Sequence, residues 1–494
     1  GLPDLYLTQG CTWPPDTEST VHRDCLFRNL GDGGYRDVTN NAGLGDGWFS
    51  QGVAIGDLDN DGYPDIYVAN IGRNRLYHNN GDGTFRDITS HAGLSGQQWT
   101  TSCLIADLDG DQFPDLYDVN YLKGDDLFDR LCLVDGHKRA CAPGVFSAER
   151  DRIYLSQGEG RFHEVAGITA AVLDPPRAGL GIVASDMDGS GRLSLFVAND
   201  VAANAFLINE TSAGGGELIL RENALLAGLA FDREGRAQAC MGIAAEDIDG
   251  NGLLDFFVTN YYEEANSLYL QTAPSVFVES SRIAGLYDAS FQQLGFGTQF
   301  LDGDLDGWTD LVVANGHLDD FQYLNIPFRM KPQFFSNRGD GRFRNPPQQT
   351  SGDYFDRELL GRSAATLDWN CDGRPDFAVS HLETPALLTN DTQRTGRWLK
   401  IRLQGVLSAR DAIGSTVTLR CGDRVWTRQL TAGSGYQASN QKMLLFGVSD
   451  CEKIDRLIVR WPSGIKQTFD DILPNRELTI IELSTAPFER PPSR

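Results

Sequence analysis

The feature that most constrains this chain is a nine-residue acidic loop that recurs in register. Complete copies are Asp57-Leu-Asp59-Asn-Asp61-Gly62-Tyr63-Pro-Asp65, Asp107-Leu-Asp109-Gly-Asp111-Gln112-Phe113-Pro-Asp115 and Asp186-Met-Asp188-Gly-Ser190-Gly191-Arg-Leu-Ser194. Three more follow: Asp247-Ile-Asp249-Gly-Asn251-Gly252-Leu253-Leu-Asp255, Asp302-Gly-Asp304-Leu-Asp306-Gly307-Trp308-Thr-Asp310 and Asp368-Trp-Asn370-Cys-Asp372-Gly373-Arg374-Pro-Asp376. A cut copy, Gly1-Leu-Pro-Asp4, opens the chain. Short apolar runs bounded by Gly, Asn and Asp flank each loop, and such runs are strand signals. The clearest unit, GVAIGDLDNDGYPDIYVAN then RLYHNNGDGTFRDIT, reads as four short strands with the acidic loop between the first two. Such units must stack to bury their faces, and a closed ring of four-stranded sheets also protects its edges. Five full units and two partial ones predict an all-β fold, a seven-bladed β-propeller over residues 1–394 with incomplete first and last blades. An upstream segment is expected to supply the missing inner and outer strands at the seam, with a secretory signal further upstream.

Each loop gathers side-chain oxygens from positions one, three, five and nine, and the position-seven carbonyl adds a donor. The glycine at position six permits the sharp turn. Hard oxygen donors in that number suit Ca2+, while Mg2+ demands a stricter octahedron. Carboxylates packed this closely repel one another unless a cation lies among them. The candidate ligands are therefore Asp57, Asp59, Asp61 and Asp65; Asp107, Asp109, Asp111 and Asp115; and Asp186, Asp188 and Ser190. They continue with Asp247, Asp249, Asn251 and Asp255; Asp302, Asp304, Asp306 and Asp310; and Asp368, Asn370, Asp372 and Asp376. Tyr63, Phe113, Leu253, Trp308 and Arg374 contribute through their carbonyls. About five or six Ca2+ ions are expected. The Asp186 loop, with Ser190 and Ser194 in place of acids, is the weakest, and Gln112 is expected to strain its turn. No catalytic role is expected of these acids, because no acid–base partner stands beside them.

Composition agrees. The 494 residues carry 68 Asp and Glu against 43 Lys and Arg, a net charge of −25. That excess repels phosphates, so a broad nucleic-acid face is excluded. No apolar run approaches the ~20 residues of a membrane-spanning helix. The nine cysteines form no CxxC unit, which disfavours zinc ribbons. Cys11–Cys25, Cys132–Cys141 and Cys421–Cys451 are expected disulfides of an oxidising compartment. Sequons stand at Asn209 and Asn390.

A polar residue recurs where the second strand ends: Asn70, Asn120, Asn199, Asn260 and Asn315, with Gln9 and His381 in the partial units. Strand termination explains it, since Asn bonds readily to nearby backbone. A ligand-receiving polar ring at the channel mouth is the sharper alternative. The loops beyond are the most varied, at 121–150, at 316–333 and at Tyr261, Tyr262, Glu263 and Glu264, and recognition usually sits on such loops. His317 and His381 are the candidates if this face carries catalysis.

From about Gly396 the acidic loops stop, and strand-like runs predict a β-sandwich over 395–485 with a flexible tail at 486–494. Ser434 and Ser463 lie in Gly-rich turns without a nearby histidine and read as turn residues. The blades resemble FG-GAP/VCBS repeats, also found in integrin α-subunit propellers. The stretches SARDAIGSTVTL, TAGSGYQASNQKMLLFGV and IDRLIVRWPSGIKQTF resemble an ASPIC/UnbV domain. Together they resemble the cartilage acidic protein family and its bacterial relatives, with Ala409 where the motif usually has Asn. The resemblance implies Ca2+ at the loops named above and an extracellular, cell-surface or periplasmic location. The expected function is a calcium-stabilised scaffold binding protein or glycan partners at the face opposite the loops. A structural subunit of a surface assembly, which would self-associate, and an enzyme at the channel mouth are the alternatives.

Overall fold

The computed structural model describes residues 2–12, 22–45, 47–212, 214–346, 351–393 and 395–489. Gly1 and the tail residues 490–494 lie outside them. The loops punctuate a series of antiparallel sheets, each wound outward strand by strand. Sheet two is typical: Phe49–Gly56, Asp65–Ile71, Arg75–Asn79 and Phe85–Asp87. Sheets three (100–164), four (179–222), five (243–279) and six (295–344) repeat this plan. Sheet one (5–37) and sheet seven (361–388) have three strands each, at the two places where the sequence repeat is cut.

The inner strands of sheets two to seven lie side by side in chain order. A glycine permits the close approach in several of them. A Cβ on Gly181 or Gly242 would come within 2.2 Å of the carbonyl oxygens of Met241 and Phe296 in the next sheet. Aromatic and aliphatic side chains fill the wedges further out. Between sheets four and five, Phe196 stacks on Phe256, and Phe206, Tyr269 and Phe277 close round them.

A second device ties sheet to sheet, near the end of the third strand in sheets one, four, five, six and seven. Asn209, Gln271, Asn337 and Asn390 donate side-chain N–H groups to the carbonyls of Leu108, Met187, Ile248 and Gly303 in the preceding sheet's acidic loop, at 2.6–3.0 Å. Asn29 of sheet one makes the same bond to Trp369 of sheet seven at 2.8 Å, so one repeating contact also joins the first sheet to the last. Both sequon asparagines are spent here. Asn209 is 1% exposed, and its amide bonds to Leu108 and Leu193.

The C-terminal residues form a sandwich of two four-stranded sheets. One contains Trp398–Gln404 paired in parallel with Arg476–Ile481; the other is built round Thr416–Cys421 and Ile454–Arg460. The strand Lys466–Ile472 pairs with Ile454–Arg460, and Phe488–Glu489 pairs with Arg476–Ile481 where a flexible tail was expected. Two disulfides are described, Cys132–Cys141 and Cys421–Cys451. Cys25 is a free thiol, so the expected Cys11–Cys25 pair is not formed.

The sandwich is not a separate bead. Its core runs without a break into sheets three and four, joining Leu104, Leu195 and Val197 to Ile413, Val417 and Leu457. It also sends the segment 432–442 into the middle of the ring. Ala432–Gly433 pairs with the inner strand of sheet four, and Gly435 exchanges two backbone hydrogen bonds with Ile243 of sheet five. Ser434 and Asn440 bond to Gln299 of sheet six, Thr366 of sheet seven donates to Asn440, and Ile55 of sheet two donates to Ser439. Tyr436 lies edge-on to Phe296, 5.2 Å between centroids. The Gly-Ser-Gly run expected to be a turn is therefore a plug.

Candidate metal centres

Each acidic loop is shaped by its own backbone amides. The outer oxygen of the first aspartate accepts the N–H five residues on, as in Gly62 to Asp57 at 2.8 Å and Gly307 to Asp302 at 2.9 Å. Position three accepts from position five, and position five from position seven: Asp61 to Asp59 at 3.2 Å, then Tyr63 to Asp61 at 2.7 Å. The position-nine aspartate acts as a strut. Asp65 takes the Leu58 N–H on one oxygen and the Asn79 N–H on the other. Position six is left-handed throughout, and Gln112 adopts φ 79° without glycine's freedom, which is the strain expected of that loop.

These bonds bring the carboxylates together. One oxygen from each of Asp57, Asp59 and Asp61 falls within 4.8 Å of the others, as do Asp107, Asp109 and Asp115; Asp247, Asp249 and Asp255; and Asp302, Asp304 and Asp306. The inward oxygens of Asp57 and Asp302 are buried and have no hydrogen-bond partner. Burial raises Asp57 to about 7, with Asp411, Asp61 and Asp59 adding to it. Burial likewise takes Asp107 and Asp247 to about 7 and Asp255 to about 8. Orphaned oxygens among crowded carboxylates are a donor set that fits a hard divalent cation.

Two loops differ. Among the described residues, neither the Asp186 nor the Asp368 loop gathers three such acids. In the first, Ser190 replaces one. In the second, Lys400 sits 2.9 Å from Asp368, and Arg374 turns its guanidinium onto Asp372. The C-terminal sandwich supplies Lys400 and packs against this face. Its side-chain oxygens cap the amides of first-position aspartates: Asp411 for Asp57, Gln429 for Asp186 and Gln441 for Asp368, at 2.9–3.0 Å. Arg410 lies 3.3 Å from Asp57. Sequence reasoning missed these contacts, because the partners lie 32 to 354 residues apart, one in the repeat region and the other in the sandwich.

On the opposite face the recurring asparagines are structural. Asn70, Asn120, Asn199, Asn260 and Asn315 are at most 2% exposed, and each donates to the carbonyl of the residue leading into the third strand. Strand termination therefore accounts for them. His317 is buried against Tyr261, Tyr262 and Phe321, and its Nδ1 accepts the Asp319 N–H. His381 is held by Tyr354 and the Thr384 carbonyl, so the two histidines have separate partners. The insertions 121–150 and 316–333 meet. Arg139 lies over Phe321 at 4.3 Å, donates to the Asp320 carbonyl at 2.6 Å and stands 3.4 Å from Asp319.

Comparison with known proteins fits this geometry. An FG-GAP-like repeat profile matches residues 1–68, 57–117 and 302–379, and an ASPIC and UnbV profile matches 405–487. The chain is thus an FG-GAP-repeat protein with a C-terminal ASPIC/UnbV domain. It is similar to cartilage acidic protein 1 of Mus musculus, 25% identical over 346 residues, which span 58% of this chain and 52% of that protein. The Homo sapiens protein of the same name is 26% identical, over 58% of this chain and 51% of its own. The chain spans about half the length of these relatives. Among solved structures, an Agrocybe aegerita lectin that recognises non-reducing terminal N-acetylglucosamine aligns over 74% of this chain and 88% of its own, with TM-score 0.42 and 16% identity. Rhamnogalacturonan lyase YesW aligns over 87% and 82%, with TM-score 0.36 and 12% identity. No helix among the described residues is long and apolar enough to cross a membrane.

Proposed function

We propose that this protein is a cation-stabilised extracellular or cell-surface scaffold that binds protein or glycan partners through the face opposite the acidic loops. The observation that carries this reading is the asymmetry of the two faces. The loop face is engaged by the C-terminal sandwich, whose side chains cap the first aspartates of three loops. The other face carries the two joined insertions, with Leu133 72%, Leu318 55% and Tyr323 45% exposed. Exposed apolar groups beside charged ones on a rigid frame are what recognition surfaces offer. Ca2+ in the Asp107, Asp247 and Asp302 loops, and a divalent cation in the Asp57 loop, would neutralise their carboxylates and hold the turns in shape. The two disulfides support an oxidising compartment. The test is capture of native cell-surface glycans and proteins by the wild type and by a Leu133→Asp, Tyr323→Ala variant. Capture should fall at least tenfold while melting is unchanged; equal capture by both would refute the surface.

A further inference from the structure

We propose that the acidic loop of sheet two is a mixed nitrogen–oxygen metal centre, with His78 as a ligand, and that it selects a first-row divalent ion such as Zn2+ over Ca2+. The inference rests on the reading of the loops as cation sites and adds a distinction among them. His78 lies on the third strand, one residue before Asn79. At the same place the other sheets carry Arg28, Leu155, Ile208, Leu270, Ser336 and Thr389. Among these seven positions, sheet two alone carries an imidazole. The His78 Nδ1 is 3.2 Å from Asp65 Oδ1 and 3.6 Å from Asp59 Oδ2. One ligand atom from each of Asp59, Asp65 and His78 lies within 4.8 Å of the others.

A second observation points to an occupant. Asp57 is 2% exposed, one of its oxygens lies within 4.8 Å of ligand atoms of Asp59 and Asp61, and its Oδ1 makes no hydrogen bond. A buried acceptor with no donor is costly, and a cation between these groups relieves it. Asp59, Asp65 and His78 make a set of two carboxylates and one imidazole, and Asp59 joins it to the Asp57–Asp61 group. Zn2+ accepts three such donors with a water in the fourth position, whereas Ca2+ takes oxygen in larger number and gains little from imidazole. The Nδ1 that faces the carboxylates is the ligating atom, so the ring hydrogen resides on Nε2.

The test uses the full chain, stripped of metal and then held in saturating Ca2+. ZnCl2 is titrated calorimetrically, and Co2+ serves as a visible-absorption probe of nitrogen ligation. The wild type should take up one Zn2+ in the presence of Ca2+. His78→Gln should bind it at least tenfold more weakly and lose the Co2+ band, while His91→Gln, at an exposed site, should match the wild type. His78 is 20% exposed, so the variant is expected to fold. Zn2+ uptake by His78→Gln at wild-type affinity overturns the inference. Ca2+ uptake without a His78-dependent Zn2+ site overturns this inference alone; absence of uptake of either ion also overturns the reading of the loops as cation sites.

Discussion

At Lys400 a full positive charge is held almost out of reach of water. It is 1% exposed and bridges Asp368 and Glu477 at 2.9 Å each. Removing one partner of a buried pair leaves the others uncompensated, so Lys400→Met should cost about 3–5 kcal/mol in urea unfolding. Glu477 carries a pH signature. Burial alone would raise its carboxyl, but hydrogen bonds from Arg402 and Lys400 outweigh that and hold it at about 2, against an ordinary 4.5. A depressed folded-state value stabilises above pH 4.5, and that contribution is lost as pH falls toward 2. Acid titration of stability should lose this step in Glu477→Gln. Asn209 makes a different prediction: expressed in a glycosylating host, it should carry no glycan by mass spectrometry, because its amide is buried and bonded. The sequence showed Asn209 only as a sequon, since its partner Leu108 lies in another sheet's loop.

Among the elements, the acidic loop was the most legible, because its spacing repeats and each residue type answers to a local bond. Its second role, as a docking platform, left no local trace. Gly307 shows both roles. It adopts φ 100°, and a Cβ there would meet the Trp426 indole nitrogen at 2.2 Å. Gly307→Ala should cost more than the ~1–2 kcal/mol of a left-handed residue alone, because it also lifts Trp426 away. Differential scanning calorimetry should register this as a lower melting temperature. Removing divalent ions with EDTA should lower melting by several degrees through the Asp57, Asp107, Asp247 and Asp302 loops. An unchanged melt would count against cation binding there. The plug at 432–442 escaped sequence reading for a simple reason. TAGSGYQASNQK has neither strand alternation nor helical period, and its order comes from inner strands of five sheets.

For the whole molecule, the three-stranded sheets lie at the two ends of the repeat region, where the sequence repeat is cut. What the sequence did not disclose is how those ends meet. Asn29 to Trp369 is the same bond that joins sheets three to seven, so Asn29→Ala should cost about 1 kcal/mol, as for a lost part-buried hydrogen bond. Hydrogen exchange should accelerate chiefly in sheets one and seven. The plug has a consequence in time. Synthesis runs from residue 1 toward 494, so the inner strands emerge long before residues 432–442 do. Until then their central amides and carbonyls have no axle to grip. The nascent ring waits for its hub, and a ribosome stalled before residue 432 would hold an exposed, aggregation-prone intermediate.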